Sequence, residues 1–274
     1  MSAVPARPSE LPDAAADAAG LERRFGGLRR LYGDAAYRRI RAAHIAVVGL
    51  GGVGSWTAEA LARSGVAALT LVDLDHVAES NINRQVQAIS STLGMAKTDA
   101  LAARIADIHA GCAVTRVEEF VDEANWPRLL GARADVVIDA CDDVRAKGVL
   151  AAWARASGTP LVSVGAAGGK RAADRVEVAD LADVTHDPML AALRQRLRKQ
   201  HAAPRSGALG VCCVFSREPV ALPQGDACDV DGSLNCHGYG SSVAVTATFG
   251  MVAAARALDL AAFPAGRGSA PAGL

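Results

Sequence analysis

The stretch HIAVVGLGGVGSWTAEALARSG, from His44 to Gly65, sets Gly49, Gly51, Gly52 and Gly54 between an apolar, β-branched run and an amphipathic one. Glycines at that spacing let a strand turn sharply into a helix and leave the backbone open to close approach. The first turn of the helix then presents unpaired N–H groups and the positive end of its dipole, a setting that suits phosphate. Downstream, LVDLDHVAESNINRQ places Asp73, Asp75, Asn81, Asn83, Arg84 and Gln85 after a second apolar run. GMAKTDA puts Lys97 at a helix start, and VVIDACDDVRAK sets Asp139, Asp142 and Asp143 ahead of Lys147.

Two chemistries compete for these residues. The glycines also satisfy the G-x-G-x-x-G dinucleotide fingerprint, and Asp73 ends the next strand, where a carboxylate takes ribose hydroxyls. Alone they fit NAD, and hence an NAD-dependent oxidoreductase, as well as ATP. The guanidinium and amides from Asn81 to Gln85 favour a triphosphate, which they can neutralise and hydrogen-bond, whereas hydride transfer has no use for them. Carboxylates at the C-terminal edge of a strand can hold Mg²⁺ against phosphate oxygens, and Asp139, Asp142 and Asp143 all stand at such an edge. Singly, Arg84 also reads as a surface ion pair, Lys97 as a solvated helix residue and Asp142 as a helix N-cap. Their order at successive strand ends argues for the site.

The elements that must carry these groups alternate short β-branched runs with longer amphipathic stretches, which is the pattern of a parallel sheet wrapped by helices. Strands are predicted at His44–Leu50, Ala68–Asp73, Ala113–Val117, Asp135–Ala140 and Pro160–Gly165, with helices near Val53–Ser64, Ala96–His109, Glu123–Leu130 and Val144–Ser157. Beyond Gly165 come a strand at Arg175–Val178, a basic helix at Pro188–Gln200, a strand at Gly210–Ser216 and a Gly-rich loop ending near Gly240. The fold class is therefore α/β, a Rossmann-like doubly wound and mostly parallel sheet with an appended C-terminal α+β region. One domain over 21–262 is expected, with its nucleotide-binding core at about 41–166 and the appended region at 167–262. The Ala/Pro-rich ends, 1–20 and 263–274, read as disordered tails. The apolar stretch from Ser241 reads as a core or dimer helix rather than a membrane span.

The 274 residues are enough for one large domain. Lys and Arg total 29 against 29 Asp and Glu, so no global charge marks a nucleic-acid binder and any RNA contact must be local. The local candidate is RQRLRKQ, with Arg194, Arg196, Arg198 and Lys199, beside Lys170, Arg171 and Arg175. The six cysteines, at 112, 141, 212, 213, 228 and 236, form no C-x-x-C pair, which argues against a zinc site. Reduced thiols in a cytoplasmic protein, with neither signal nor transit peptide, are the plain expectation.

The motifs GLGGVGS, DLDxVxxSNxNRQ, G-x-A-K and IDAxD-x-VRxK together resemble the ThiF/MoeB adenylating fold that also underlies ubiquitin activation. RRFGGLRRLYG, VGAAGGKRAADRVEVADL and LGVCCVFSREP resemble one branch, the tRNA threonylcarbamoyladenosine dehydratases, over roughly residues 22 to 262. The resemblance implies an ATP- and Mg²⁺-dependent homodimer. Asp73 would bind ribose, Asn81, Asn83, Arg84 and Lys97 the phosphates, and Asp142 the magnesium. Arg30, with Arg24 as rival, would reach the partner's ATP. It further implies adenylation of a carboxylate on tRNA, ring closure to a cyclic hydantoin with release of AMP, and a cysteine desulfurase with its sulfur acceptor as partners. Activators of sulfur-carrier proteins share this fold but carry zinc-binding cysteine pairs that are missing here, so that function stands as the alternative. Cys212 and Cys213 invite a thioester role by analogy, against which their apolar neighbours favour a buried strand.

Overall fold

The computed structural model describes residues 14–221 and 239–264. One seven-stranded sheet organises them. Its strands are β1 (His44–Val48), β2 (Ala68–Val72), β3 (Ala113–Val117), β4 (Val136–Asp139), β5 (Leu161–Val164), β6 (Val176–Asp180) and β7 (Cys212–Ser216). They lie in the order β3-β2-β1-β4-β5-β7-β6, all pairings parallel except the antiparallel β6–β7 edge. The central strands bury nearly every residue, because helices cover both faces. Edge strand β3 has no neighbour on one side and none of its residues is fully buried.

Among the described residues six helices pack on this sheet: α1 (Ala14–Ala42), α2 (Gly54–Arg63), α3 (Lys97–Ile108), α4 (Val144–Ser157), α5 (Pro188–Gln200) and α6 (Val243–Ala262). Ile40 of α1, Leu61 of α2, Leu101 of α3 and Phe249 of α6 share one core with Ile45, Leu71 and Ile138. Leu150 of α4 and Leu193 of α5 share the opposite one with Val137 and Phe215. By length and composition α6 could cross a membrane, yet Val245, Phe249, Ala253, Ala257 and Leu258 are buried in the core. Gly250 allows α6 to lie against α2: a Cβ there would stand 2.6 Å from the Val53 carbonyl oxygen. Thr57 Oγ1 closes the contact by donating to the Gly250 carbonyl at 3.1 Å.

Several expectations change. The helix expected at Glu123–Leu130 is a series of turns ending in a 3₁₀ turn at Arg128–Leu130. Pro127 lacks the N–H that a helix interior requires, and Asp122 instead accepts from the N–H groups of Ala124 and Asn125. The helix α1, not foreseen, begins at Ala14 inside the expected N-terminal tail and is interrupted at Gly33, whose φ of 78° is left-handed. The region after Gly165 completes the sheet itself, since β7 inserts beside β5 and β6 forms its edge. The Gly-rich loop before Gly240, Cys228, Cys236 and residues 265–274 lie outside the described residues.

The end of α1 is seated by an aromatic and cationic cluster. Phe25 stacks on His109 with ring centroids 4.9 Å apart, the Arg41 guanidinium lies 4.7 Å from the Phe25 centroid, and Arg41 Nη1 is 3.2 Å from His109 Nε2. Burial, and then the charges of Arg41 and Arg24, push the His109 pKa below its ordinary value. The folded protein therefore keeps a neutral ring that accepts from Arg41. The unfolded chain takes up a proton near pH 6.5 that the folded chain refuses, so this contribution is complete above about pH 6.5 and is lost as the pH falls below it. Urea midpoints measured from about pH 5 to 8 should fall on the acid side, and His109→Phe should flatten that part of the slope.

Candidate functional site

The strand order turns outward in opposite directions from β1 and β4, and a crevice opens beyond the C-terminal ends of strands at such a switch point. The glycine turn sits there. Gly49 has φ 86°, and a Cβ on it would be 2.8 Å from the Ala140 carbonyl and the Cys141 nitrogen. A Cβ on Gly54 would overlap the Gly49 carbonyl oxygen, and one on Gly52 would be 3.2 Å from Arg84 Cγ and the Thr246 side chain. Around Gly51 nothing lies within 4 Å of that position. The turn is thus closed on its inner side by β4 and α6 and open at Gly51, ahead of the α2 N-terminus. This shape accepts a phosphate close to the backbone.

At the end of β2, Asp73 Oδ2 accepts from the Leu50 N–H at 2.6 Å and Oδ1 from the Asp75 N–H at 2.9 Å. The carboxylate therefore fastens the glycine turn to β2 and retains lone pairs for another donor. Burial raises its pKa, while Lys97 and the two backbone N–H groups oppose the rise. Lys97, buried at the start of α3, gives its ammonium to Asp75 Oδ2 at 2.6 Å and stands 3.7 Å from Asp73 Oδ1. It is a cation already held beside the ribose-binding candidate, not an ordinary solvated residue.

The segment Glu79–Arg84 forms the next wall. The Asn81 side chain is buried and accepts from the Ala78 N–H at 3.1 Å, which holds the turn. Asn83 Nδ2 donates to the Ser241 carbonyl at 3.0 Å, and Arg84 Nη1 to the Ser80 carbonyl at 2.7 Å. Trp56 Nε1 donates to the Arg84 carbonyl at 3.0 Å, tying the wall to α2. Between this turn and Gly240–Ser241 lies a cavity of about 600 Å³. Arg84 borders both this cavity and Gly52. Asn81 is a structural pin here, whereas Asn83 and Arg84 face open space.

The carboxylates after β4 divide their work. Asp139 and Lys147 form an ion pair at 3.1 Å with both side chains fully buried. Lys147 also donates to the Val164 carbonyl at 2.7 Å, and Ser163 Oγ donates to Asp139 Oδ2 at 2.7 Å. Cys141 Sγ gives a further contact to Asp139 Oδ1 at 2.8 Å. Asp143 caps α4 by accepting from the Arg145 N–H. Asp142 and Asp143 are both exposed, and of the three Asp142 takes neither role. Among the described residues no three His, Cys, Asp or Glu side chains converge as a metal cage.

Other expectations resolve outside the crevice. Arg30 is exposed on α1. Its rival Arg24 donates to the Ile108 carbonyl at the C-terminal end of α3, a helix of 12 residues, and so lies roughly 18 Å along that helix from Lys97. Cys213 is fully buried and burial holds its thiol pKa well above the ordinary value; Cys212 is raised as well, again by burial first. Neither is a poised thiolate. Around the basic helix α5, Lys199, Arg171 and Arg175 are exposed, while the arginines of the helix are partly engaged. Arg194 donates to the carbonyls of Leu181 and Val184, Arg198 to those of Pro204 and Arg205, and Arg196 packs on Gly148. Lys170 is buried, its ammonium on the carbonyls of Ser216 and Glu218. The sequence did not foresee the Ser163 and Val164 contacts, since only the β4–β5 pairing brings them to Asp139.

Residues 24–270 match the model of the ThiF family. The chain belongs to the ThiF family. This ThiF-family protein is 44% identical over 246 residues to the tRNA threonylcarbamoyladenosine dehydratase of Escherichia coli (strain K12), covering 86% of this chain and 92% of that one. It is 39% identical over 242 residues to the enzyme of that name from Haemophilus influenzae, covering 87% and 93%. Among solved structures it is similar to E. coli tRNA N6-threonylcarbamoyladenosine dehydratase in complex with ATP, with TM-score 0.80, 41% identity, and coverage of 92% of this chain and 97% of that one. The AMP complex of that protein gives TM-score 0.80 at 42% identity, covering 92% and 98%.

The buried pair yields a test of the site's foundation. Lys147→Met should strand the Asp139 carboxylate and cost roughly 3–5 kcal/mol of stability in chemical denaturation. Adding Asp139→Asn should recover much of that loss, because the remaining amide still meets Ser163 and no charge is left unpaired.

Proposed function

We infer that this ThiF-family protein is a tRNA threonylcarbamoyladenosine dehydratase, which uses ATP to activate the threonylcarbamoyl carboxylate and closes it to the cyclic hydantoin. The observation that carries this reading is the open glycine turn at the β1–β4 crevice, flanked by Asp73, Lys97 and Arg84. It is supported by relatives of that name matched over nearly their whole length. When bound, ATP supplies a leaving group for a carboxylate oxygen that would otherwise have to depart as oxide. The N-terminus of α2 and the amide N–H groups around Gly51 would receive its phosphates, and Asp73 the ribose hydroxyls. Arg84 and Lys97 would neutralise the charge that develops on the departing phosphate, a fixed electrostatic role. Lys97 would do so by exchanging or sharing its contact with the exposed Asp75. Asn83 lies beside Arg84 on the same wall, and Asp142 would complete the shell of a magnesium ion. Ring closure is intramolecular, so placement of the reacting ends contributes more than any added nucleophile. The buried thiols of Cys212 and Cys213 are accordingly left out.

The same reading takes residues 21–262 as one adenylating domain of a cytoplasmic homodimer in which Arg30 completes the partner's site. Arg30 suits this better than Arg24, which is already bonded to the far end of α3. Partnership with a cysteine desulfurase and its sulfur acceptor belongs to the reading as a family trait.

Activation of a sulfur-carrier protein is the second reading. It is favoured by a 36% identity over 124 residues to the molybdopterin-synthase adenylyltransferase of E. coli, a match limited to 45% of this chain and 49% of that protein. An NAD-dependent oxidoreductase is the third. Purified protein offered ATP and Mg²⁺ with modified tRNA, with a carrier-protein C-terminus, or with neither should release pyrophosphate and AMP only with the tRNA. Release with the carrier alone, or binding of NAD in preference to ATP, overturns the assignment. Arg84→Ala and Asp142→Ala should each lower turnover by about a hundredfold or more, as expected for loss of preorganised charge at a phosphate site. Their melting temperatures should stay near that of the parent.

A further inference from the structure

At the end of the sheet opposite the nucleotide crevice, α1 and the C-terminal ends of α2 and α3 enclose a second cavity, of about 530 Å³. It is lined by Arg24, Phe25, Arg63, Arg104, Asp107 and Ile108. Its anchor is Glu59, whose side chain is 3% exposed and accepts from Arg63 Nε at 2.7 Å and Arg104 Nε at 2.6 Å. The guanidiniums are not enclosed with it: the Arg63 side chain is 59% exposed and that of Arg104 38%. Arg63 gives Glu59 one N–H, Arg104 gives it two, and Arg24 gives one to Ile108. A guanidinium has five N–H donors, so among the described residues each keeps at least three. Three fork-shaped cations around one concavity, with donors to spare, match the geometry of phosphate oxygens.

We propose that this cavity holds backbone phosphate of the substrate tRNA, an inference that rests on the dehydratase reading above. Overall charge is balanced, so the RNA needs a local cluster of guanidiniums, and this is one that is gathered around a concavity. The α3 helix measures the separation. Lys97 begins it at the crevice and Ile108 ends it at the cavity, a span of roughly 18 Å for 12 residues. A stacked strand advances about 3.4 Å per nucleotide. With the modified adenosine at the crevice, a phosphate about five nucleotides along the strand reaches the arginines. The cavity would bind RNA without reading its sequence, since phosphate contacts fix register and orientation only.

Arg63→Gln tests this with little risk to the fold, because Glu59 keeps both contacts from Arg104. Binding of modified tRNA to the full chain, measured over a series of salt concentrations, should weaken about three- to tenfold. The slope of log affinity against log salt should shrink by about 0.7–0.9, the loss of one phosphate contact. ATP affinity and turnover at saturating tRNA should stay at the parent values, and Arg63→Lys should recover the salt slope. An unchanged affinity and slope in the folded Arg63→Gln protein overturns the proposal. So does a change in oligomeric state, which would assign the cavity to a subunit contact. Failure of the dehydratase reading shows separately, as unmodified adenosine and unconsumed ATP in the parent protein, while the salt slope is read from binding alone.

Discussion

Everything at the crevice depends on how closely the turn after β1 approaches the end of β4. The Gly49 backbone lies so near the Ala140–Cys141 peptide that a single methyl group would collide with it, and Gly54 leaves no room beside the Gly49 carbonyl. With the turn pressed inward against protein, its outer side at Gly51 is left bare. A phosphate site made from backbone needs this asymmetry, because a side chain on either face would close the concavity or push the strands apart.

Close approach alone would not hold the loop that follows β4. That task falls to a lysine and an aspartate with no exposure to water. Burying both charges is costly, and the structure offsets the cost by giving Asp139 three further donors and Lys147 a main-chain oxygen on the neighbouring strand. The result links the ends of β4 and β5 to the first turn of α4. Besides the buried Asp139 and the capping Asp143, the loop has one exposed carboxylate with no structural task, that of Asp142. On the other side of the turn, Asp73 performs a related service by holding the Leu50 N–H while keeping Lys97 close.

The site's framework was legible because it is local. The turn of glycines, the β-branched runs and the Asp73 to Gln85 segment each follow from the conformational preferences of adjacent residues, and the strands found differ from those expected by only a few residues at their ends. Departures have two sources, one of them local: at 123–130 Pro127 and the Asp122 side chain turn the backbone out of a helix. The other is a distant partner. The helix α1 escaped notice because Gly26, Gly27 and Gly33 break its apolar rhythm, and what stabilises it is the packing of Phe25 and Ile40 on elements far along the chain. The charges of α5 looked free because a sequence shows no carbonyls; folded, three of its arginines are engaged by their own protein.

The sequence by itself therefore determined the order of the strands, the glycine turn and the set of polar residues gathered near it, since those depend on φ/ψ preference, periodicity and neighbours in the chain. Only the tertiary structure decided which of these residues face solvent and which are consumed as supports. It separated Asp142 from Asp139, Asn83 from Asn81 and the cluster of Arg63 from that of α5. The physical reason is that a charge or an amide is defined by its partners, and those partners come from strands and helices brought together only when the sheet assembles.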